Sequence, residues 1–185
     1  MSKLYLIAGH TQGRGEGAKN LQTGETENMI ARDLLLQIFP EMRKELFTDL
    51  CPFDFMPEEK VAWINKKAGS DDLVFSCHLN SSSKRTEKGA MIFYYGGSQK
   101  SKEMAQKFLE AYCKATGLKN AGVYPDTSSR FGRLGIVRDT RGWAFLLELG
   151  SINKDLETVK EKGAKGLLAG IKAVLEKAED NLSPT

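Results

Sequence analysis

The apolar run Leu4-Tyr5-Leu6-Ile7-Ala8 stops at Gly9-His10, and a loop holding three glycines in five residues, Gly13-Arg14-Gly15-Glu16-Gly17, follows at once. Residues 3–8 therefore read as a strand buried in a sheet. A strand that ends by offering an imidazole to small residues is suited to building a site. The strand fixes the ring, and the glycines let other groups approach the backbone closely. One histidine at a strand end is more often an ordinary structural residue, so the reading depends on partners elsewhere. The glycine spacing does not fit Gly-x-Gly-x-x-Gly, and no Lys-Ser/Thr follows it, which argues against a dinucleotide or P-loop site.

Further along, strands alternate with helices. Ile30, Ala31, Leu34, Leu35 and Ile38 form one helical stripe, which Pro40 is expected to end. Residues 45–50 read as a second strand, and a helix starts at Pro57 with acids in its first turn and stops by Gly69. Residues 71–80 are a strand that again finishes in a histidine, His78, before the serine-rich loop 81–84. Residues 89–95 form a strand and 98–115 an amphipathic helix. The pattern then fades from 118 to 138, where 124–133 reads as a long polar loop able to cover a cleft. Residues 143–150 form an apolar strand carrying Glu148. A short helix over 155–162 and a final one over 164–178 complete the pattern. This alternation implies a single-domain α/β fold, a twisted mixed sheet with helices on both faces. Residues 1–180 are expected to form that domain and 181–185 a polar tail.

Length and composition agree. The 185 residues suit one domain, and a formal net charge of +3 is too small to argue for nucleic acid. No apolar run is long enough to span a membrane, and the first strand begins too early for a signal peptide, so synthesis in a cytoplasm is expected. Cys51, Cys77 and Cys113 make neither a disulfide framework nor a cysteine zinc site, and Cys77 reads as a small buried apolar residue.

The chain has only two histidines, and both end apolar strands. Strand ends sharing one edge of an open α/β sheet form its ligand crevice. Glu27 opens the apolar stripe of the first helix and points inward, whereas Glu25 lies off the stripe. Glu27 in that position is also compatible with simple complementation of the helix N-terminus. His10, His78 and Glu27 together are the two-histidine, one-carboxylate set of catalytic zinc sites. Glu148, near the end of the last strand, is then a candidate general base and acid.

These segments carry a resemblance. Ile7-Ala8-Gly9-His10 with Gly15-Glu16-Gly17-Ala18, Gly24-Glu25-Thr26-Glu27, Ser76-Cys77-His78-Leu79-Asn80 and Leu146-Leu147-Glu148-Leu149-Gly150 resemble, in order, the motifs of zinc-dependent N-acetylmuramoyl-L-alanine amidases of the amidase-3 type. The resemblance covers nearly the whole chain. It departs at Thr11-Gln12-Gly13, where further glycines are frequent, and at Ser151, where an aromatic is frequent.

The resemblance implies His10, Glu27 and His78 as zinc ligands, with Glu25 the alternative to Glu27, and Glu148 as catalytic acid/base. It implies cleavage of the amide between N-acetylmuramic acid and the stem-peptide L-alanine in peptidoglycan; the sequence leaves the oligomeric state open, with a monomer expected, and its short apolar runs imply no stable membrane insertion. Arg138 and Asn80 are candidate substrate-binding groups. A phage or prophage endolysin, released to the wall by a holin, is the expected setting, and a bacterial autolysin would read much the same. The alternative is a non-catalytic wall-binding or phage structural module on the same fold.

Overall fold

The computed structural model describes residues 2–81 and 88–180. Most of the serine-rich loop and the polar tail 181–185 lie outside the described residues. In chain order the elements are β1 (Leu4–Ala8), α1 (Glu27–Glu45), β2 (Thr48–Leu50), α2 (Pro57–Asn65), β3 (Leu73–Asn80), β4 (Ala90–Tyr94), α3 (Gln99–Thr116), β5 (Asn120–Pro125), a 3-10 turn (Asp126–Ser128), α4 (Gly135–Arg138), β6 (Trp143–Ser151) and α5 (Leu156–Asp180). The six strands form one sheet in the order β2-β1-β3-β6-β4-β5. Neighbours from β2 to β6 run parallel, β4 is antiparallel to β6, and β5 is parallel to β4. The mixed α/β sheet expected from the sequence is the observed one.

Alternation along the strands splits the core into two layers. Leu4, Leu6, Phe75, Cys77, Phe145 and Leu147 face α1, α3 and α5, where Phe75 packs 4.9 Å from Phe108 and 5.3 Å from Phe145 between ring centres. Tyr5, Ile7, Val74 and Ala144 face the other way, covered by Ile64 and Trp63 of α2 and Ile136 of α4. Helices thus cover both faces, but α2 and α4 are short. Cys77 is fully buried, and burial pushes its thiol up to about 12, in keeping with a packing role.

Four expectations are corrected. Pro40 does not end α1, which continues to Glu45. Proline forfeits one bond, to the carbonyl of Leu36, and both residues lie on the exposed side, where the loss of that bond is cheap. Meanwhile Met42 is fully buried and extends the apolar stripe. The second strand is only Thr48–Leu50. A strand, β5, occupies part of the stretch where the pattern fades. It is an edge strand containing Gly122 and ending in Pro125, so it shows little apolar alternation. Last, α5 is one helix, not two. Its Gly163, Gly166 and Gly170 are contact points rather than breaks. A β-carbon at Gly166 would press on Tyr112 and Thr116, and one at Gly170 on Phe108.

Candidate metal centre

Parallel pairing brings three strand ends to one place. Gly9 N donates to Cys77 O at 2.8 Å, which sets His10 beside the end of β3. His78 and Glu148 are register partners across β3 and β6. The fourth group comes from α1. Thr26 caps that helix with its hydroxyl accepting from Met29 N, and the next residue, Glu27, turns inward and is 4% exposed.

The polar atoms of three side chains converge. Glu27 Oε1 lies 3.0 Å from His10 Nε2 and 2.9 Å from His78 Nδ1, and all three ligand atoms fall within 4.8 Å of one another. The two imidazoles meet edge to face at 5.0 Å. His10 is the most accessible of the three side chains, so the cluster opens on its side. Backbone groups hold the carboxylate: Leu79 N donates to Oε1 and Ala18 N to Oε2. Burial pushes the Glu27 carboxyl up, but hydrogen bonds to His10 and His78 more than reverse this and leave it at about 2. For His78 burial wins over Glu27 and pushes the ring down, towards the neutral form that binds metals. Ser76 Oγ lies 3.3 Å from His78 Nε2, within reach to accept its proton in the tautomer that leaves Nδ1 bare toward the cluster.

The loop after β1 is fixed by two groups that sequence reasoning missed. Lys60 of α2, 2% exposed, donates from Nζ to the carbonyls of Ala8 (2.9 Å), Gly9 (2.9 Å) and His10 (2.8 Å). Asn28 Nδ2 donates to the same His10 carbonyl at 2.6 Å. A signal did exist, because Lys60 sits four residues before buried Ile64 on the inner face of α2. The glycines of this region serve the site side chains as well as the turn. A β-carbon at Gly9 would fall on the His78 ring, and one at Gly17 (φ +79°) on His10 and Glu27.

Glu148 stands beside this cluster on β6. It is half-buried as a residue, yet its Oε2 is fully buried and has no hydrogen-bond partner among the described residues. Burial, and secondarily the charge of Glu27, push its carboxyl up to about 8 against a weaker pull from Arg130. An unpartnered buried carboxyl is costly unless something binds there, which makes it a functional candidate.

The remaining sequence candidates fall outside the cluster. Glu25 pairs with Lys160 at 2.7 Å on the surface, so Glu27 is the carboxylate that meets the histidines. Asn80 lies two residues past His78, across a bulge, at the end of β3. Arg138 is not brought to the cluster. It sits in α4 toward the start of β6, its Nε and Nη2 donating to buried Asp126 at 2.8 and 2.9 Å and its guanidinium over Tyr95.

Two imidazole nitrogens and one carboxylate oxygen fit a tetrahedral zinc with one open position, and the bare Glu148 oxygen fits a group acting at that position. The family model for N-acetylmuramoyl-L-alanine amidases matches residues 4–173. The chain therefore belongs to the Amidase_3 family, and it is an N-acetylmuramoyl-L-alanine amidase. An enzyme family answers the alternative of a non-catalytic module. No curated protein sequence matches the chain.

Among solved structures, the catalytic domain of the amidase CwlV from Bacillus (Paenibacillus) polymyxa var. colistinus is similar, with TM-score 0.78 and 24% identity over 95% of this chain and 99% of that one. An amidase from Clostridium difficile 630 gives 0.78 and 17% over 95% and 97%. The catalytic domain of an endolysin targeting Clostridia difficile gives 0.75 and 24% over 95% and 98%. At these identities the likeness establishes the fold.

Proposed function

We propose that this amidase is zinc-dependent and hydrolyses the amide joining the lactyl group of N-acetylmuramic acid to L-alanine of the stem peptide. The observation that carries the reading is the convergence of His10 Nε2, Glu27 Oε1 and His78 Nδ1 beside a buried carboxyl whose Oε2 has no partner. His10, Glu27 and His78 would hold the zinc ion, which when bound would supply Lewis-acid polarisation of the scissile carbonyl and acidify water. Glu148 takes the proton of the attacking water and returns it to the departing alanine amine as the C–N bond breaks. Lys60, Asn28 and the Glu27 carboxylate keep the rings in place, so little reorganisation accompanies the reaction. Asn80, at the end of the His78 strand, contacts the substrate beside the cluster.

The reading extends to setting. The enzyme acts on the cell wall as an endolysin, made in a cytoplasm and released to the wall by a holin. Expression inside a susceptible cell should leave it intact until a holin is co-expressed. Lysis without a holin would contradict that part.

The bond is tested on purified peptidoglycan by mass spectrometry of the digest. The expected products are peptides with a free L-alanine amine and glycans ending in lactyl carboxylate. New reducing sugar ends or cuts within the peptide would overturn the assignment.

A further inference from the structure

Beyond Glu148 the same face of the sheet continues into a groove of about 640 Å³, within the range of small-ligand sites. Met91 is the register partner of Glu148, and Phe93 is that of Leu146, so both β4 side chains share the face that carries the carboxylate. Ala90, Ile92 and Tyr94 point into the core, whereas Met91 and Phe93 stay half-buried as the groove floor. Tyr124 of β5 forms a wall, packed 5.9 Å from Phe93 and held by its hydroxyl donating to Ala121 O at 2.8 Å.

The rim is charged in one sense. Lys88 and Lys119 line the groove and are exposed, and none of its described lining residues is acidic. Ala90 N donates to Lys119 O, so the two lysines sit side by side where β4 and β5 begin. β4 runs antiparallel to β6, which puts that beginning at the edge where β6 ends, the edge of the metal cluster. With strands about 5 Å apart, β5 lies roughly 10 Å from β6. An extended peptide advances about 3.3 Å per residue, so a group two to three residues from the scissile amide reaches the lysines.

We propose that this groove binds the stem peptide on the leaving-group side, with Lys88 and Lys119 pairing a free carboxylate two to three residues beyond the scissile amide. The proposal rests on the amidase reading above and adds a specificity to it: peptides with that carboxylate free are preferred over those in which it is amidated. Exposed ion pairs of this kind are worth up to about fivefold in affinity and weaken with salt.

Two synthetic N-acetylmuramoyl tripeptides, identical except for a free or amidated α-carboxylate on the second residue, test it with the zinc-loaded enzyme. The wild type should favour the free acid about fivefold in kcat/KM, through KM, and lose that preference at high salt. Lys119→Met and Lys88→Met should bring the free acid down to the level of the amidated peptide. No preference in the wild type, or the same preference in both lysine variants, overturns the subsite. Calorimetry of both peptides with Glu148→Gln separates the two readings. Carboxylate-dependent binding that needs Lys119, without hydrolysis by the wild type, keeps the subsite and sinks the amidase reading. Hydrolysis of both peptides at equal efficiency does the reverse.

Discussion

His78 and Glu148 are register partners across the parallel β3–β6 pair, so a candidate metal ligand and the candidate acid/base stand on one face of adjacent strands at the same height. Strand pairing, rather than loop conformation, fixes their spacing. Only Glu27 and His10 reach the site from outside the sheet ladder, and each is tied down by backbone or buried donors.

The raised pKa of Glu148 gives a stability signature. In metal-free protein the folded carboxyl keeps its proton to about pH 8, while in the unfolded chain it ionises near 4.5. The folded state then binds more protons across that window, so its stability falls as pH rises from 4.5 to 8. Urea unfolding of metal-free wild type should show this decline, of a few kcal/mol at most, and Glu148→Gln should flatten it. Parallel pH profiles would contradict a carboxyl held protonated by burial.

Glu27 has the opposite sign. Its folded value of about 2 lies below the unfolded 4.5, so its contribution is present above pH 4.5 and lost as pH falls through 2. Glu27→Gln should remove that acid-side stability and abolish metal binding. Glu25→Gln, which weakens surface bonds to Lys160 and Thr23, should leave metal content and stability nearly unchanged. Metal loss in the Glu25 variant but not in the Glu27 variant would reverse the ligand assignment.

Lys60 is expected to be the most costly single lysine to replace. Lys60→Met takes the ammonium from the Ala8 and Gly9 carbonyls and leaves the His10 carbonyl to Asn28 alone, at a cost of about 2 kcal/mol or more. Denaturant titration measures that cost, and metal affinity should fall with it because His10 loses its anchor. A change under about 1 kcal/mol would show that water replaces the ammonium freely.

Gly9→Ala should damage the site more than the fold. The added methyl meets the His78 ring, which must leave its place beside Glu27. Metal affinity should drop steeply while the circular dichroism spectrum stays that of the wild type. Full metal loading by Gly9→Ala would mean that the ring position is not critical.

Much of this was legible in the sequence, for physical reasons. Two histidines that each end an apolar run have few places to go in a parallel sheet except its carboxyl edge, and Glu27 was distinguished from Glu25 by lying on the buried stripe of α1. Lys60 was missed because a lysine in an amphipathic helix ordinarily faces water, which outweighed its place four residues before Ile64 on the inner face of α2. β5 was missed because an edge strand with a glycine and a terminal proline shows no alternation. Gly163, which falls between the two helices expected from the sequence, is where α1 comes close, and Gly166 and Gly170 are where α3 does. Arg138 was singled out from its place in the chain near the Glu148 strand, but that strand is long, and Arg138 stands toward its other end against Asp126.

The most direct test joins metal content to activity in two proteins, wild type and Glu148→Ala, with zinc per chain measured by elemental analysis and amine release from peptidoglycan measured alongside. About one zinc in both, with amine release by the wild type alone, is the predicted result, because Glu148 stands beside the ligand set without belonging to it. No zinc in wild type purified without chelator and supplied with the metal, or a Glu148→Ala enzyme as active as wild type, would contradict the account.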